Sequence, residues 1–497
     1  MSFKRIILFV FLIQASVSAV FAQKAVKKLN KIITPEMVYK DMMYLASDEL
    51  KGRKTGERGN ELAAEYIAKE FKSAGVKTVP GMKDYFQQVP FIKFNAIDKG
   101  SIHFENHDYK NKADMLVMDG SPIPGKSEEA VYINFGMDED YSGVDVKGKY
   151  ALAQSGLPNG GGPQEIFAAM SEKKKWAKEH GAIGLIEIYS LNIPWNLFKN
   201  YFSKERLELA DGPVNEVGIF HAYLQFPSGQ SKPNFEIGKA YPLTAESPSI
   251  VNKPVNAVNV IGMIPGKDKM LRDQYVLLTA HFDHIGVNAG HPVGNDTIWN
   301  GARDNAWGVV SLLASARYYA KYPPARSILI AAVNGEEIGL LGSKYLADHP
   351  VIPWNKVIFD LNSDGAGYSD TTIVSIIGLN RVGTAEEMNE ACKIFDLNTF
   401  ADPAPEQGLF DRSDNVNFAK LGIPAPTFSA GFKTFDAEIG KYYHQAIDNP
   451  DNISYGYLHR FTKAFVYAGY LIANMKNAPR WISGDKYEGA GKGLYGY

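Results

Sequence analysis

Cysteine is almost absent from this chain of 497 residues, because Cys392 is its single example. One cysteine excludes an intramolecular disulfide framework, and the sequence shows no paired His that would suggest a catalytic thiol. An excess of one sign of charge is also lacking: the chain has 53 Lys and Arg and 55 Asp and Glu, for a net charge of −2. This balance gives no electrostatic reason to expect nucleic acid or an acidic membrane as a partner.

Long hydrophobic runs are lacking after the first residues of the chain. Lys4 and Arg5 precede the apolar run 6–20, which ends near the small residue Ala22. This arrangement is typical of a secretory signal peptide, whereas a membrane-spanning helix needs about 20 consecutive apolar residues. We therefore expect a signal peptide over residues 1–22, a secreted or periplasmic protein, and no stable membrane anchor after cleavage.

The rest of the chain has the composition of a folded protein, with 45% hydrophobic and 22% charged residues, and its length predicts more than one domain. Residues 33–86 have helical periodicity, whereas 87–250 consist of short β runs broken by Gly, Pro, Asn and Asp. Residues 251–480 alternate between apolar strands and helices, which predicts an α/β fold with a mostly parallel sheet. The Gly-rich segment 483–497 is predicted to be a flexible tail.

Residues of metal-ligating type follow three of the predicted strands. His281 follows the strand predicted near 275–280, the pair Glu336 and Glu337 follows the next, and Asp364 follows the third. Ligands of open α/β sheets bind outside the carboxyl ends of the strands, and core packing does not explain such residues at three strand ends. Since successive residues point in different directions, one glutamate of the pair can face a metal while the other faces a water.

Asp304 and His444 complete the set of candidate ligands. Asp304 lies just before a predicted helix, where Asp also serves as an N-cap, although Asn305 could fill that role instead. Two imidazoles and three carboxylates suit two zinc ions that share one bridging carboxylate, and a further glutamate is free to act as a general base. Asp283 is placed either to accept the second ring N–H of His281 or to form a turn, and His284 is interpreted as a loop residue.

Several segments resemble the zinc-dependent peptidase family M28, the aminopeptidase group. The matching segments are 280–286, 300–308, 334–343, 361–364, 443–444 and the opening 47–53. The resemblance implies a three-layer fold with a mixed, mostly parallel central sheet, in which 33–86 and 251–480 form the catalytic domain. Residues 144–149 and 177–186 are similar to a protease-associated (PA) domain, so 87–250 is expected to be such a domain inserted into the catalytic one.

The resemblance also implies a role for each site residue and a pair of zinc ions per subunit. Zinc would be held by His281 with Asp364 and by Glu337 with His444, and Asp304 would bridge the two ions through a strained or cis Asp304–Asn305 bond. Glu336 would be the general base, with Asp283 supporting the catalytic group.

The predicted function is an exported aminopeptidase that acts on peptides. The alternatives on the same scaffold are a carboxypeptidase, a glutaminyl cyclase and a catalytically silent binding protein. Two departures from the family pattern bear on substrate preference: Trp307 stands where a small residue is common, and Asn415 stands where His is common. The preferred side chain and the oligomeric state are not specified by the sequence.

Overall fold

A computed structural model describes residues 24–94, 97, 99–120, 123–210, 218–227, 234–248, 253–288, 290 and 292–497. The expected signal peptide, 1–22, lies outside the described residues. The chain forms two compact units, one made of the chain up to Val89 together with Asn256–Tyr497, the other of Pro90–Val255. Within the described ranges, no helix has both the length and the hydropathy that a bilayer span requires.

The helices lie mainly in the first unit. They are α1 (24–32), α2 (Pro35–Leu45), α3 (Arg58–Ala74), α4 (Pro163–Glu179), α5 (Trp195–Phe202), α6 (Trp307–Lys321), α7 (Leu341–Asp348), α8 (Ala385–Lys393), α9 (Asn415–Lys420), α10 (Ala437–Tyr442), α11 (Tyr455–Asn474) and α12 (Glu488–Tyr495).

The strands alternate with these helices after residue 253 and dominate the segment before it. They are β1 (Phe86–Phe94), β2 (Ser101–Phe104), β3 (His107–Lys110), β4 (Met115–Asp119), β5 (Ile123–Tyr132), β6 (Tyr150–Gln154), β7 (Gly184–Ile188), β8 (Arg206–Leu209), β9 (Phe220–Leu224), β10 (Ala240–Ser247), β11 (Lys253–Ile264), β12 (Tyr275–His281), β13 (Gly286–Val287), β14 (Ile298–Trp299), β15 (Ser327–Val333), β16 (Val357–Ser363), β17 (Ile373–Ile377), β18 (Asn398–Phe400) and β19 (Thr427–Ala430).

Local sequence signals set the ends of the first helices. Thr34 caps α2 by accepting a hydrogen bond from the backbone N–H of Met37, and Pro35 occupies the first helical position, where its missing N–H costs nothing. Helix α3 ends at Gly75, which adopts a positive φ of 85° that a residue with a Cβ would resist.

The first unit is built on a mixed, mostly parallel sheet with the order β18–β17–β19–β16–β12–β15–β11–β1. Strand β12 lies at its centre, parallel to β15 on one side and to β16 on the other. All seven residues of β15 and of β16 are buried, as a sheet covered on both faces requires. The predicted α/β fold with a mostly parallel central sheet is confirmed.

The helices of the first unit form two groups. Helices α2, α3 and α8 pack against α6 or α11, which themselves contact each other and β12, whereas α7 packs on α9, which contacts β16. Sheet and helices share one apolar core that includes Leu278, Leu313, Ile330 and Phe465. This core places the carboxyl ends of the three central strands on rigid elements.

The second unit, Pro90–Val255, has its own sheet and its own apolar clusters. Its strand order is β3–β2–β10–β5–β6–β7–β9–β4, with β5, β6, β7 and β9 parallel to one another and the outer pairs antiparallel. A buried ion pair joins Lys173 on α4 to Glu187 on β7 at 2.8 Å, and His221 on β9 contacts the other oxygen of Glu187 at 2.9 Å. That this unit is a PA domain stays a prediction.

The Gly-rich end 483–497, expected to be a flexible tail, instead contains helix α12, which packs on the first unit. Gly422 allows this packing because a Cβ there would lie 2.5 Å from the carbonyl of Ala490. The indole N–H of Trp481 donates to the carbonyl of Gly422 at 2.9 Å. Within 483–497, Gly491 lies closest to Gly422, whereas a Cβ at Gly484, Gly489, Gly493 or Gly496 would meet nothing within 4 Å.

Candidate metal centre

Three neighbouring strands deliver candidate ligands to one edge of the central sheet. His281 is the last residue of β12, Asp364 follows β16 directly, and Glu336 and Glu337 lie in the turn after β15. Because β15, β12 and β16 are adjacent and parallel, their carboxyl ends meet. The structure thus brings together the residues that the strand-end pattern of the sequence singled out.

Asp304 reaches the same place from the turn before α6. Its peptide bond with Asn305 is cis. The side chain of Asn305 accepts a hydrogen bond from the backbone N–H of Gly308 at 2.9 Å and donates to the carbonyl of Ser363 at 2.8 Å. Asn305 thereby satisfies one backbone N–H in the first turn of α6 and links the Asp304 turn to the end of β16. Both carboxylate oxygens of Asp304 are directed at the site.

His444 comes from the loop after α10. Its ring stacks on that of Tyr443 with centroids 4.0 Å apart, and its side chain is 35% exposed, the most open of the candidate ligands. The Asp304 turn is tied to this part of the chain as well, because the guanidinium of Arg303 pairs with Asp448 at 2.9 Å and lies over the ring of Tyr442.

Asp304 lies between two pairs of ligand atoms. Its Oδ1 is 3.2 Å from Nε2 of His281, which is 3.3 Å from Oδ1 of Asp364. Its Oδ2 is 3.3 Å from Nε2 of His444, which is 3.1 Å from Oε2 of Glu337. Each half of the site therefore has one imidazole, one terminal carboxylate and one oxygen of a shared carboxylate.

These separations fit zinc. Two ligands of a tetrahedral ion with bonds of about 2.0 Å lie roughly 3.3 Å apart, and His with Asp or Glu is a donor set that zinc accepts. The four distances between ligand atoms, 3.1 to 3.3 Å, match that spacing. The donor set and its geometry thus fit two ions bridged by Asp304.

The electrostatics of the site also call for cations. Burial opposes charge on both histidines, yet the surrounding carboxylates raise the pKa of His281 well above its usual range and that of His444 to about 10. Against the same effect of burial, contacts with the histidines hold the pKa of Asp304 well below its usual range and that of Glu337 at about 2. No Lys or Arg of the described ranges forms an ion pair with these carboxylates, so divalent cations would supply the missing charge.

The carboxylate of Asp283 does not bind the ring of His281, which was one of the two roles considered for it. Nδ1 of His281 contacts the main-chain oxygen of Asp283 at 3.2 Å, whereas the Asp283 carboxylate is 3.7 Å away, too far for a hydrogen bond. That carboxylate instead accepts from the backbone N–H groups of Glu336 and Glu337, at 3.2 and 3.4 Å, and from the hydroxyl of Thr55. Asp283 therefore orients the two-glutamate turn.

His284, interpreted from the sequence as a loop residue, proves to be part of the site. Its Nδ1 lies 2.5 Å from Oε1 of Glu337, and its side chain is fully buried. With Asp304 and Glu337 it forms one of the two clusters of potential metal ligands found among the described residues, the other being His281, Asp304 and Asp364. The spacing of His281 and His284 was the available signal, but it does not reveal which way the second ring points.

Arg53 is a second residue whose role the sequence did not reveal. Its fully buried guanidinium donates to four carbonyls that belong to three segments around the site: those of Leu45, Phe282, Asn300 and Gly301. Burial lowers the pKa of Arg53 to about 10, so it remains charged at neutral pH. The segment 47–53 is therefore held in the first unit by its arginine, which joins the segments next to His281 and Asp304.

A cavity of about 80 Å³ opens beside the candidate ligands. Its lining includes the candidate site residues Asp304, Glu336, Asp364 and His444. The apolar residues Ile377, Leu409, Phe432 and Phe435 also line it. Among the described residues, no side chain forms a hydrogen bond with the carboxylate of Glu336, which therefore faces the cavity free to meet a bound molecule.

The two departures noted in the sequence lie away from this cavity. Trp307 is buried among the rings of Tyr368, Tyr457 and Phe461 and belongs to the core. Asn415 is buried as well, and its amide donates to the carbonyls of Phe410 and Ala425. Both residues act on packing rather than on the wall of the cavity.

Comparisons with known proteins show similarity in sequence and in fold. Residues 259–469 match the sequence model of Peptidase family M28. The fold is similar to that of an aminopeptidase from Aneurinibacillus sp. strain AM-1, with a TM-score of 0.51 and 20% identity, over 91% of this chain and 96% of that one.

Curated relatives match a smaller part of the chain. A vacuolar membrane protease of Saccharomyces cerevisiae is 30% identical over 154 residues, which are 31% of this chain and 14% of the relative. That of Schizosaccharomyces japonicus is 36% identical over 110 residues, 22% of this chain and 11% of the relative. The chain thus spans about one seventh of these relatives or less. Residues 259–469, which match the model of Peptidase family M28, hold every candidate ligand of the site.

Proposed function

We propose that this protein is an exported dinuclear zinc aminopeptidase, which removes N-terminal residues from peptides. The observation that carries the proposal is the position of Asp304, with one carboxylate oxygen beside His281 and the other beside His444. A carboxylate so placed is suited to bridge two cations, and a protein with two adjacent zinc sites at a cavity is suited to hydrolysis.

One zinc ion would be held by His281, Asp364 and Asp304, the other by Glu337, His444 and Asp304. When bound, the ions would lower the pKa of a water molecule and polarise the scissile carbonyl. Asp283 would keep the Glu336–Glu337 turn in place through its two backbone hydrogen bonds, so that the glutamates divide their roles.

Glu336 would be the general base. It lines the same cavity as the ligands and its carboxylate has no hydrogen bond from a side chain of the described residues. In this role it takes a proton from the attacking water and then donates it to the departing amine. The aliphatic and aromatic wall of the cavity, with Ile377, Leu409, Phe432 and Phe435, favours an apolar N-terminal side chain in the substrate.

The test is hydrolysis of a panel of aminoacyl anilides by the zinc-loaded full chain, with N-blocked versions of each substrate. We expect cleavage of free-amine substrates only, with the highest kcat/KM for apolar side chains. Glu336→Gln should lower kcat by about 10²–10⁴-fold and still bind two zinc ions. Glu386→Gln, at an exposed position on α8, is the matched control and should leave kcat unchanged.

Other outcomes would refute the proposal in distinguishable ways. Cleavage of N-blocked substrates would indicate a different peptidase specificity, and cyclisation of N-terminal Gln would indicate a cyclase. Two bound zinc ions without any reaction would indicate a binding protein.

Export and the identity of the second unit are part of the same proposal. The apolar run at 6–20 supports a signal peptide cleaved after Ala22, and the short parallel and antiparallel strands of Pro90–Val255 are compatible with a PA-type insertion. Mass spectrometry of the protein recovered from periplasm and medium should find an N-terminus at Gln23. An intact N-terminus at Met1 in the cell interior would contradict export.

A further inference from the structure

His284 touches the candidate metal centre without matching the geometry of a ligand. Its Nδ1 is 2.5 Å from Oε1 of Glu337, whereas the pairs of candidate ligand atoms around Asp304 are 3.1 to 3.3 Å apart. Two ligands of one tetrahedral zinc ion lie roughly 3.3 Å apart, and a separation of 2.5 Å is far too short for that. A ring nitrogen this close to a carboxylate oxygen is its hydrogen-bond partner.

The two oxygens of Glu337 therefore have different partners. Oε1 faces the Nδ1–H of His284, and Oε2 is 3.1 Å from Nε2 of His444 in the second half of the site. A glutamate side chain has three rotatable bonds, so an unrestrained Glu337 could turn either oxygen, or neither, toward a metal. The contact with His284 leaves Oε2 as the oxygen that faces the ion.

The ring of His284 is itself held from two sides. The backbone N–H of His284 donates to the carbonyl of Arg53 at 3.3 Å. Its ring packs against Gly301, where a Cβ would lie 2.6 Å from the ring atoms Cγ and Cδ2. Arg53 also donates to the carbonyl of Gly301, so the same arginine restrains both supports of the ring. The imidazole is therefore fixed before any metal binds.

We propose that His284 is a positioning residue, which orients Glu337 for the zinc ion shared with His444 and Asp304. The inference rests on the proposed dinuclear function, since it concerns the second of the two metal positions. When a residue that hydrogen-bonds to a metal ligand and orients it is removed, metal affinity typically falls by about 10–100-fold. The His281–Asp364 position does not contact His284 and should keep its affinity.

The test is a zinc titration of the metal-free full chain against a chromophoric chelator, which reports affinity without any activity measurement. His284→Phe keeps a ring of similar size and removes the N–H donor. His284→Asn offers an amide N–H close to the position of Nδ1. We expect two zinc ions in the unsubstituted protein, a loss of about 10–100-fold at one position in His284→Phe, and a smaller loss in His284→Asn. Thermal unfolding of each metal-free variant checks that it is folded.

Each result decides between specific readings. Equal affinities in His284→Phe and the unsubstituted protein would overturn the inference while leaving the dinuclear site intact. Equal partial losses in both variants would overturn it too, because packing rather than the N–H would then matter. Complete loss of one zinc ion in both would identify His284 as a ligand. If the unsubstituted protein fails to bind two zinc ions, the proposed function fails instead.

Discussion

Replacing Arg53 by Met is expected to destabilise the first unit strongly, although Arg53 contacts neither a candidate ligand side chain nor the cavity. The buried guanidinium donates four hydrogen bonds to main-chain carbonyls, at 2.8 Å to Phe282, 2.9 Å to Gly301 and 2.5 Å to both Leu45 and Asn300. Methionine preserves most of the volume and none of the donors, so the change isolates these hydrogen bonds.

The size of the stability loss follows from the four carbonyls that would lose their hydrogen-bond donor. Hydrogen bonds from a charged donor contribute about 1.5–3 kcal/mol each, which puts an upper bound of roughly 6–12 kcal/mol on the set. Part of this loss is offset, because the variant no longer has to remove the charge of Arg53 from water on folding. We expect a net loss of about 3–5 kcal/mol in the free energy of unfolding.

The assay is urea unfolding of the full metal-free chain followed by tryptophan fluorescence, to which Trp299 and Trp307 contribute from the same unit. The matched control is Arg58→Met, since Arg58 lies on the surface of α3 and its ion pairs among the described residues are with exposed Glu61 and Glu65. Its midpoint should not move measurably. If the two variants shift the midpoint equally, the reasoning that Arg53 joins the loops of the site is refuted.

Three further predictions concern pH, the C-terminal helix and the shared carboxylate. Despite its burial, Lys173 and His221 hold the pKa of Glu187 at about 2, against an ordinary value of 4.5, so its stabilising effect is complete above pH 4.5 and declines as pH falls toward 2. Glu187→Gln should therefore be less stable than the unsubstituted protein at pH 6, by on the order of 3 kcal/mol in urea unfolding, with the gap closing toward pH 2. Gly422→Ala should lower the melting temperature, because its φ is 102° and its Cβ would meet the backbone of α12, whereas Gly489→Ala on α12 has open space and should not. Asp304→Asn should lower the affinity for both zinc ions in a chelator titration. A lower affinity at only one position would contradict the bridging role of Asp304.

The elements of the first unit were largely predictable from the sequence. Strand β15 and helices α6 and α11 all lie within residues 251–480, where alternating apolar strands and helices were predicted. Apolar runs buried on both faces and apolar residues at helical spacing are properties of consecutive residues, so no distant contact is needed to recognise them. The identity of the candidate ligands was predictable for a related reason: their chemical types recur at the ends of those strands.

The partners of the site's side chains were not predictable. Asp283 was interpreted either as a partner of the His281 ring or as a turn residue, and its carboxylate accepts from the backbone of Glu336 and Glu337 instead. His284 was interpreted as a loop residue, but its ring contacts Glu337. The direction of a side chain after a strand depends on the turn and on the segments that cover it. For His284, the segments that cover the side chain are those that contain Arg53 and Gly301.

The sequence by itself determined which segments are strands or helices and which residue types stand at the carboxyl ends of the strands, since both are set by local patterns of side chains. Only the tertiary structure decided that β12 lies between β15 and β16, so that His281, Glu337 and Asp364 meet at one edge. It also decided that Asp304 directs one oxygen to each imidazole. These arrangements depend on contacts between segments distant along the chain, where burial and hydrogen bonding select one geometry among many that the local sequence allows.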